Sequence, residues 1–119
     1  MNEMELLVNP LATQKYTRIL KEKNFEFNAP HFFIVEDTEG KPLAQIHFQE
    51  GPVKEAGVNG VANEDLIVMV LERLMSFQNS DFKCKENEIA IQKLEEALMW
   101  LRKRTLAREI RQVEGTSTV

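Results

Sequence analysis

Between Asn63 and Arg111, apolar residues recur at intervals of three and four. Leu66, Ile67, Val70, Leu71, Leu74 and Met75 form one set. Ile91, Leu94, Leu98 and Leu101, flanked by Ala90, Ala97 and Trp100, form a second. This spacing puts each set on one face of an α-helix. The segment from Ser76 to Asn87 is too polar and irregular to continue the first face. A connection this short predicts a long antiparallel helical hairpin over residues 63–112. Asn63 is expected to cap the first helix, with Glu64 and Asp65 in its first turn, where the helix dipole favours anions.

The pattern before residue 50 has a different period. Leu6, Leu7 and Val8 suit a short strand or an unstructured start. Asn9-Pro10 has the form of a helix opening, with Asn9 as N-cap and Pro10 at the first helical position. Leu11, Tyr16, Ile19 and Leu20 then predict a short helix over residues 11–23. Phe25-Glu26-Phe27 alternates briefly, and Asn28-Ala29-Pro30 breaks the pattern. His31 to Asp37 is rich in aromatic and β-branched residues and predicts a strand. Asp37 to Lys41 reads as a turn around Gly40, and Leu43 to Gln49 as the return strand. A lone hairpin is marginal in water, so it requires helices, further strands or another subunit to cover it. Glu50 to Ala62 is irregular and holds three of the five glycines. Gly115 to Val119 is expected to fray unless a partner orders it. The expected architecture is α+β in one domain: a β-rich region over residues 1–50, then the helical hairpin.

Composition narrows the function classes. A length of 119 residues fits one domain with a modest core. The 43% of hydrophobic and 29% of charged residues argue against wholesale disorder. No apolar run reaches the 18 or so residues of a membrane span, and the N-terminus lacks the pattern of a signal peptide. Cys84 has no internal disulfide partner. These features predict a cytoplasmic protein.

The net charge of −4 makes a DNA or RNA polymer a poor partner. Charge is uneven, however. Residues 101–111 hold five cations and one anion, Glu109, so this segment carries +4 and the remainder −8. A small basic patch on an acidic chain suits a small anion. Cations near a helix C-terminus also complement the dipole without any ligand.

No arrangement for catalysis is visible. His31 and His47 lie on paired strands but lack a nucleophile or an i, i+4 metal partner, and read as surface residues. Cys84 sits where a helix N-terminus would stabilise a thiolate, yet a lone cysteine in such a turn is usually a small packing residue. Glu95 and Glu96 are adjacent, so they point about 100° apart on a helix. The loop Gly57-Val58-Asn59-Gly60 lacks the dinucleotide-binding spacing and reads as a connector or as backbone that approaches a ligand.

Phe77, Phe82 and Asn87 carry more information. An aromatic in a polar turn either anchors the turn or offers its face to a planar ligand, where base stacking is worth about 1–3 kcal/mol. Asparagine can bond an adenine edge in both directions. Arg104 and Arg108 share a helical face at i, i+4 and form a plausible pyrophosphate clamp. Asn87 and Arg104 are 17 residues apart, about 26 Å along a helix. One small ligand reaches both only if a second subunit brings them together.

Several strings resemble a family of small phage proteins. They are Phe48-Gln49-Glu50-Gly51-Pro52-Val53-Lys54-Glu55-Ala56-Gly57-Val58-Asn59-Gly60-Val61, Leu74-Met75-Ser76-Phe77-Gln78, and Phe82, Cys84 and Glu86-Asn87. Leu94-Glu95-Glu96-Ala97-Leu98-Met99-Trp100-Leu101, Arg104-Thr105, Arg108 and Val113-Glu114-Gly115-Thr116 continue the resemblance. This family comprises the anti-defence sponges, which share a helical hairpin domain and act against the Thoeris and CBASS immune systems. The preceding β-hairpin resembles the Thoeris branch. The resemblance implies a non-enzymatic protein, without cofactor or metal, that sequesters glycocyclic ADP-ribose made by TIR proteins. Cyclic di- and trinucleotides are further ligands of some members. It implies a homodimer or a higher homo-oligomer such as a hexamer, with the pocket between subunits. By similarity Phe77 stacks on the base, Asn87 hydrogen-bonds the ligand and Arg104 contacts phosphate or base from the partner helix. Arg108 and the Val58-Asn59-Gly60 loop are further candidates, while Arg18 and Lys54 are guesses for a cyclic trinucleotide site. The alternative from another class is a helical protein-interaction or structural module with no nucleotide ligand. A hydrolase ranks third.

Overall fold

A computed structural model describes residues 3–119, which form an α+β chain of two compact units, one up to Val61 and one from Ala62. The first unit is an antiparallel sheet of four strands: β1 (Met4–Leu6), β2 (Thr17–Glu22), β3 (Phe32–Asp37) and β4 (Pro42–His47). The strands lie in sequence order across the sheet. Phe32 pairs with His47 and Ile34 with Gln45, and a register shift follows between Val35 and Glu36. The predicted hairpin is therefore present, and further strands extend it.

The helix predicted over residues 11–23 is absent; its second half is β2. Asn9 makes the local bond of a helix cap, its Oδ1 accepting from the Leu11 N–H at 2.9 Å. No helical turn follows, because an Asx turn presents the same signal. Thr17 to Glu22 then gains two ladders, to β1 and to β3. A short isolated helix has no comparable source of stability. Arg18-Ile19-Leu20-Lys21 does not alternate apolar with polar residues, so no strand period announced β2 in the sequence.

Glu22 is the most deeply buried side chain described, at 1% exposure. Its Oε1 accepts the backbone N–H of His31 at 2.9 Å. His31 is itself buried, in contrast to the surface position expected, and its Nε2 lies 2.7 Å from the Glu26 carbonyl oxygen. Alternation along β3 and β4 puts His31 and His47 on opposite faces, since Phe32 is the residue opposite His47. Glu36 is the third buried polar residue, and Arg18 donates to it at 2.7 Å.

The stretch after β4 is fastened rather than loose. A short helix, α1 (Val53–Ala56), ends at Gly57, whose φ of 75° favours glycine. Gln49 donates to the Gly51 and Gly57 carbonyls. Asn59 bonds the backbone of Glu50 through both ends of its amide, at 2.8 Å each. Val61 forms a parallel bridge with Phe48. A Cβ on Gly60 would lie 2.5 Å from the Phe48 carbonyl, so only glycine fits under this bridge without a shift.

The second unit holds α2 (Asn63–Gln78) and α3 (Lys85–Ile110), which pack against each other. Asn63 is the first helical residue and not the cap. Ala62 occupies the cap position, and Asp65 reaches back to accept the Ala62 N–H at 2.8 Å. No described residue of either helix is buried. The half-covered residues of α3 are Asn87, Ala90, Ile91, Leu94, Ala97, Leu98, Leu101, Thr105 and Arg108; beside the two alanines, the larger side chains alternate by four and three. On α2 the half-covered residues are Glu64, Leu66, Ile67, Leu71, Leu74 and Gln78. Val70 and Met75, assigned to the apolar face by periodicity, are exposed, because one partner helix covers only a narrow seam.

The end of the chain is ordered by its own residues. Gln112 has φ of 60°, with hydrogen bonds from its N–H to the Glu109 carbonyl and from the Val113 N–H to the Arg108 carbonyl. This is a Schellman turn with glutamine where glycine is usual. No described helix is long and apolar enough to cross a membrane.

Candidate functional site

The site is built around the turn between α2 and α3. Gln78 closes that turn by bonding both the carbonyl and the N–H of Cys84, at 2.9 and 3.1 Å. The Phe77 carbonyl accepts from the Ser80 hydroxyl at 2.6 Å, and the Ser80 oxygen accepts from the Phe82 N–H at 3.1 Å. Polar residues that looked irregular in sequence thus replace backbone pairing at the turn. Cys84 is the N-cap of α3, its Sγ accepting the Asn87 N–H at 3.4 Å. That contact gives the lone cysteine a structural part.

With the turn fixed, Phe77 and Phe82 line an open cleft of about 420 Å³ together with Glu72, Arg73, Ser76 and Ser80. Phe77 keeps 43% of its surface exposed, so the ring presents a face rather than anchoring a core. Arg73 stands over the same ring, 5.5 Å from its centroid. Arg73 was not singled out from the sequence. Its i, i+4 spacing to Phe77 was the available signal. Ser76 and Ser80 donate their hydroxyls to the Glu72 and Phe77 carbonyls, and Glu72 lines the cleft beside Arg73, so the ring and the guanidinium are what the cleft offers to a planar ligand.

The structure brings Phe77, Phe82 and Arg73 together. Asn87 lies in the first turn of α3, after the same connection. Its side-chain amide forms no hydrogen bond among the described residues. Arg104 and Arg108 lie near the other end of α3, and they differ in state. Arg104 is exposed and makes no hydrogen bond or ion pair among the described residues. Arg108 donates from Nη2 to the Val113, Thr116 and Thr118 carbonyls, at 3.1, 3.2 and 2.7 Å. Asn59 lies in the sheet unit with both ends of its amide engaged by Glu50. Among the described residues no group of histidine, cysteine and carboxylate side chains is suited to hold a metal ion.

Residues 41–106 match the family described as Acb2/Tad1, hairpin domain. The match runs from the turn before β4 into the basic part of α3, so it includes the cleft and Arg104. The chain is also similar to Thoeris anti-defense 1 of Bacillus phage SBSphiJ7, with 47% identity over 95% of this chain and 98% of that protein. The similarity therefore reaches through the sheet unit as well as the helices. On both findings, the chain belongs to the Acb2/Tad1 hairpin-domain family.

Proposed function

We propose that the chain is a phage anti-defence protein that binds a cyclic nucleotide immune signal and holds it without cleaving it. Glycocyclic ADP-ribose is the first ligand of this reading, and cyclic oligonucleotides are second. The protein acts in the cytoplasm of the infected cell. The observation that carries the reading is the exposed Phe77 ring in its cleft; the unengaged guanidinium of Arg104, toward the other end of α3, is the second element of the reading. Phe77 stacks the base, Asn87 bonds its edge, and Arg104 contacts phosphate. Arg108 and Asn59 are further ligand-binding candidates of this reading, although within the chain Arg108 holds the tail and Asn59 holds the Glu50 backbone.

The helices form an antiparallel hairpin in this reading, and Asn87 and Arg104 stand about 26 Å apart along α3. A single copy cannot close both on one small ligand, so the site joins two copies. The absence of buried side chains from α2 and α3 supports the same conclusion, since apolar helix faces otherwise remain in water. Nanomolar capture corresponds to about −12 kcal/mol, within reach of stacking, charged hydrogen bonds and exclusion of water at an interface.

The test mixes purified protein with glycocyclic ADP-ribose, separates the complex and denatures it by heat. Intact ligand should return in stoichiometric amount. Recovery of a hydrolysed product, or no capture, would overturn the reading. A second reading, a protein-interaction module, is favoured by the outer face of α3, where Met99, Trp100, Leu106 and Ile110 are exposed. Absence of a thermal shift with every cyclic nucleotide, together with a specific protein captured by this face, would select it.

A further inference from the structure

Glu72, Arg73, Ser76, Phe77, Ser80 and Phe82 line the cleft at the α2–α3 turn, and most of its side-chain donors are already engaged. The Ser76 hydroxyl donates to the Glu72 carbonyl at 3.0 Å, and the Ser80 hydroxyl to the Phe77 carbonyl at 2.6 Å. The phenyl rings donate nothing, and an ionised Glu72 only accepts. Arg73 is exposed, and among the described residues its guanidinium makes no hydrogen bond or ion pair. Its N–H groups are therefore the unengaged side-chain donors that this cleft holds ready for a ligand.

The helix fixes where that guanidinium stands. Arg73 and Phe77 are an i, i+4 pair on α2, and the guanidinium carbon lies 5.5 Å from the ring centroid. The other helical neighbours of Arg73 are Met69, Val70 and Ser76, so no carboxylate stands at i±3 or i±4 to neutralise it. Glu72 is the preceding residue and points about 100° away around the helix. A planar group laid on the Phe77 ring thus has a bare cation at its rim. A phosphate carried by the same molecule finds its donors there, and Glu72 disfavours the opposite placement. A guanidinium can also grip phosphate with two parallel hydrogen bonds, as an ammonium cannot. We propose that Arg73 contacts a phosphate of the ligand from the same copy that supplies Phe77, and so selects ligands whose stacked base carries phosphate over neutral nucleosides. The inference rests on the reading of Phe77 as the base-stacking face. It adds a division of labour: one phosphate of glycocyclic ADP-ribose is held by Arg73 of one copy, and the other by Arg104 of the second.

The experiment titrates the full chain and its Arg73→Gln and Arg73→Lys variants with glycocyclic ADP-ribose by calorimetry, at low and at high salt. Adenosine serves as the phosphate-free probe, and the phosphorus spectrum of the bound ligand is recorded. Arg73 is exposed and glutamine is a good helix former, so the fold is retained, which circular dichroism checks. Arg73→Gln should weaken binding about tenfold at low salt, the loss of a charged hydrogen bond. Arg73→Lys should recover part of this. The loss should shrink at high salt, because charge pairs are screened and stacking is not. Adenosine affinity should be the same in all three proteins, and one phosphorus resonance should move in Arg73→Gln. An equal loss for adenosine, independent of salt and with unmoved phosphorus resonances, would confine Arg73 to holding the ring and overturn the proposal. Unchanged affinity of Arg73→Gln for glycocyclic ADP-ribose would overturn it and leave the functional reading standing. No binding of that ligand by the unaltered chain would overturn both.

Discussion

In the sheet unit the three described side chains most shielded from water are polar: Glu22, His31 and Glu36. Each has a partner set by the fold, an N–H, a carbonyl or a guanidinium. In the helical unit no described side chain of α2 or α3 is shielded to that degree, and Phe77, Met99, Trp100 and Ile110 stand open. One unit satisfies its polar groups internally. The other leaves ring faces and cations to be met from outside. Open rings alone do not separate the units, since Tyr16, Phe25 and Phe27 of the sheet unit also stand exposed; the shielded polar groups do.

The contrast predicts that capture and folding fail independently. The largest effect is expected for Phe77→Ala combined with Arg104→Ala. Loss of stacking and of a charged phosphate contact should weaken glycocyclic ADP-ribose binding by about 3 kcal/mol or more, over a hundredfold. Calorimetry measures this, and the melting temperature should not fall. Next is Glu22→Ala, which leaves the buried His31 N–H unpaired at a cost of about 2 kcal/mol. Hydrogen exchange should rise in β2 and β3 while the α3 amides keep their protection. Equal loosening of both units would remove the distinction. Gly60→Ala comes third, since its methyl must push the Phe48 backbone aside; about 1–2 kcal/mol is expected, read by chemical denaturation. The smallest is Cys84→Ser. A hydroxyl caps a helix better than a thiol, so α3 should gain about 0.5 kcal/mol with ligand affinity unchanged.

The helices were legible because their apolar spacing is long and regular, and the β3–β4 hairpin because aromatic and branched residues flank a glycine turn. β2 was not, because six residues after an Asn-Pro pair carry too short a pattern to separate the two periods. Its identity depends on β1 and β3, which are distant information for a local reading. At the site, the aromatic and cationic residues could be named from chemistry alone. Their condition could not. That Arg104 is unengaged while Arg108 holds three carbonyls depends on the Schellman turn at Gln112, which has no glycine to announce it. Cys84 as a cap was similarly hidden, since sulfur is rare in that position.

The four-three stripe on α3 also makes the helix a ruler. α3 has 26 residues, about 39 Å, against 16 residues and about 24 Å in α2. A second copy of Glu95–Leu101 inserted after Leu101 adds one heptad, so every seam position stays in phase. It moves Arg104 about 10 Å further from Asn87. Such a chain should still pair its helices, yet under the proposed function the spacing between base contact and phosphate contact would be wrong by about that distance. Ligand size would then be written in the number of turns of one helix.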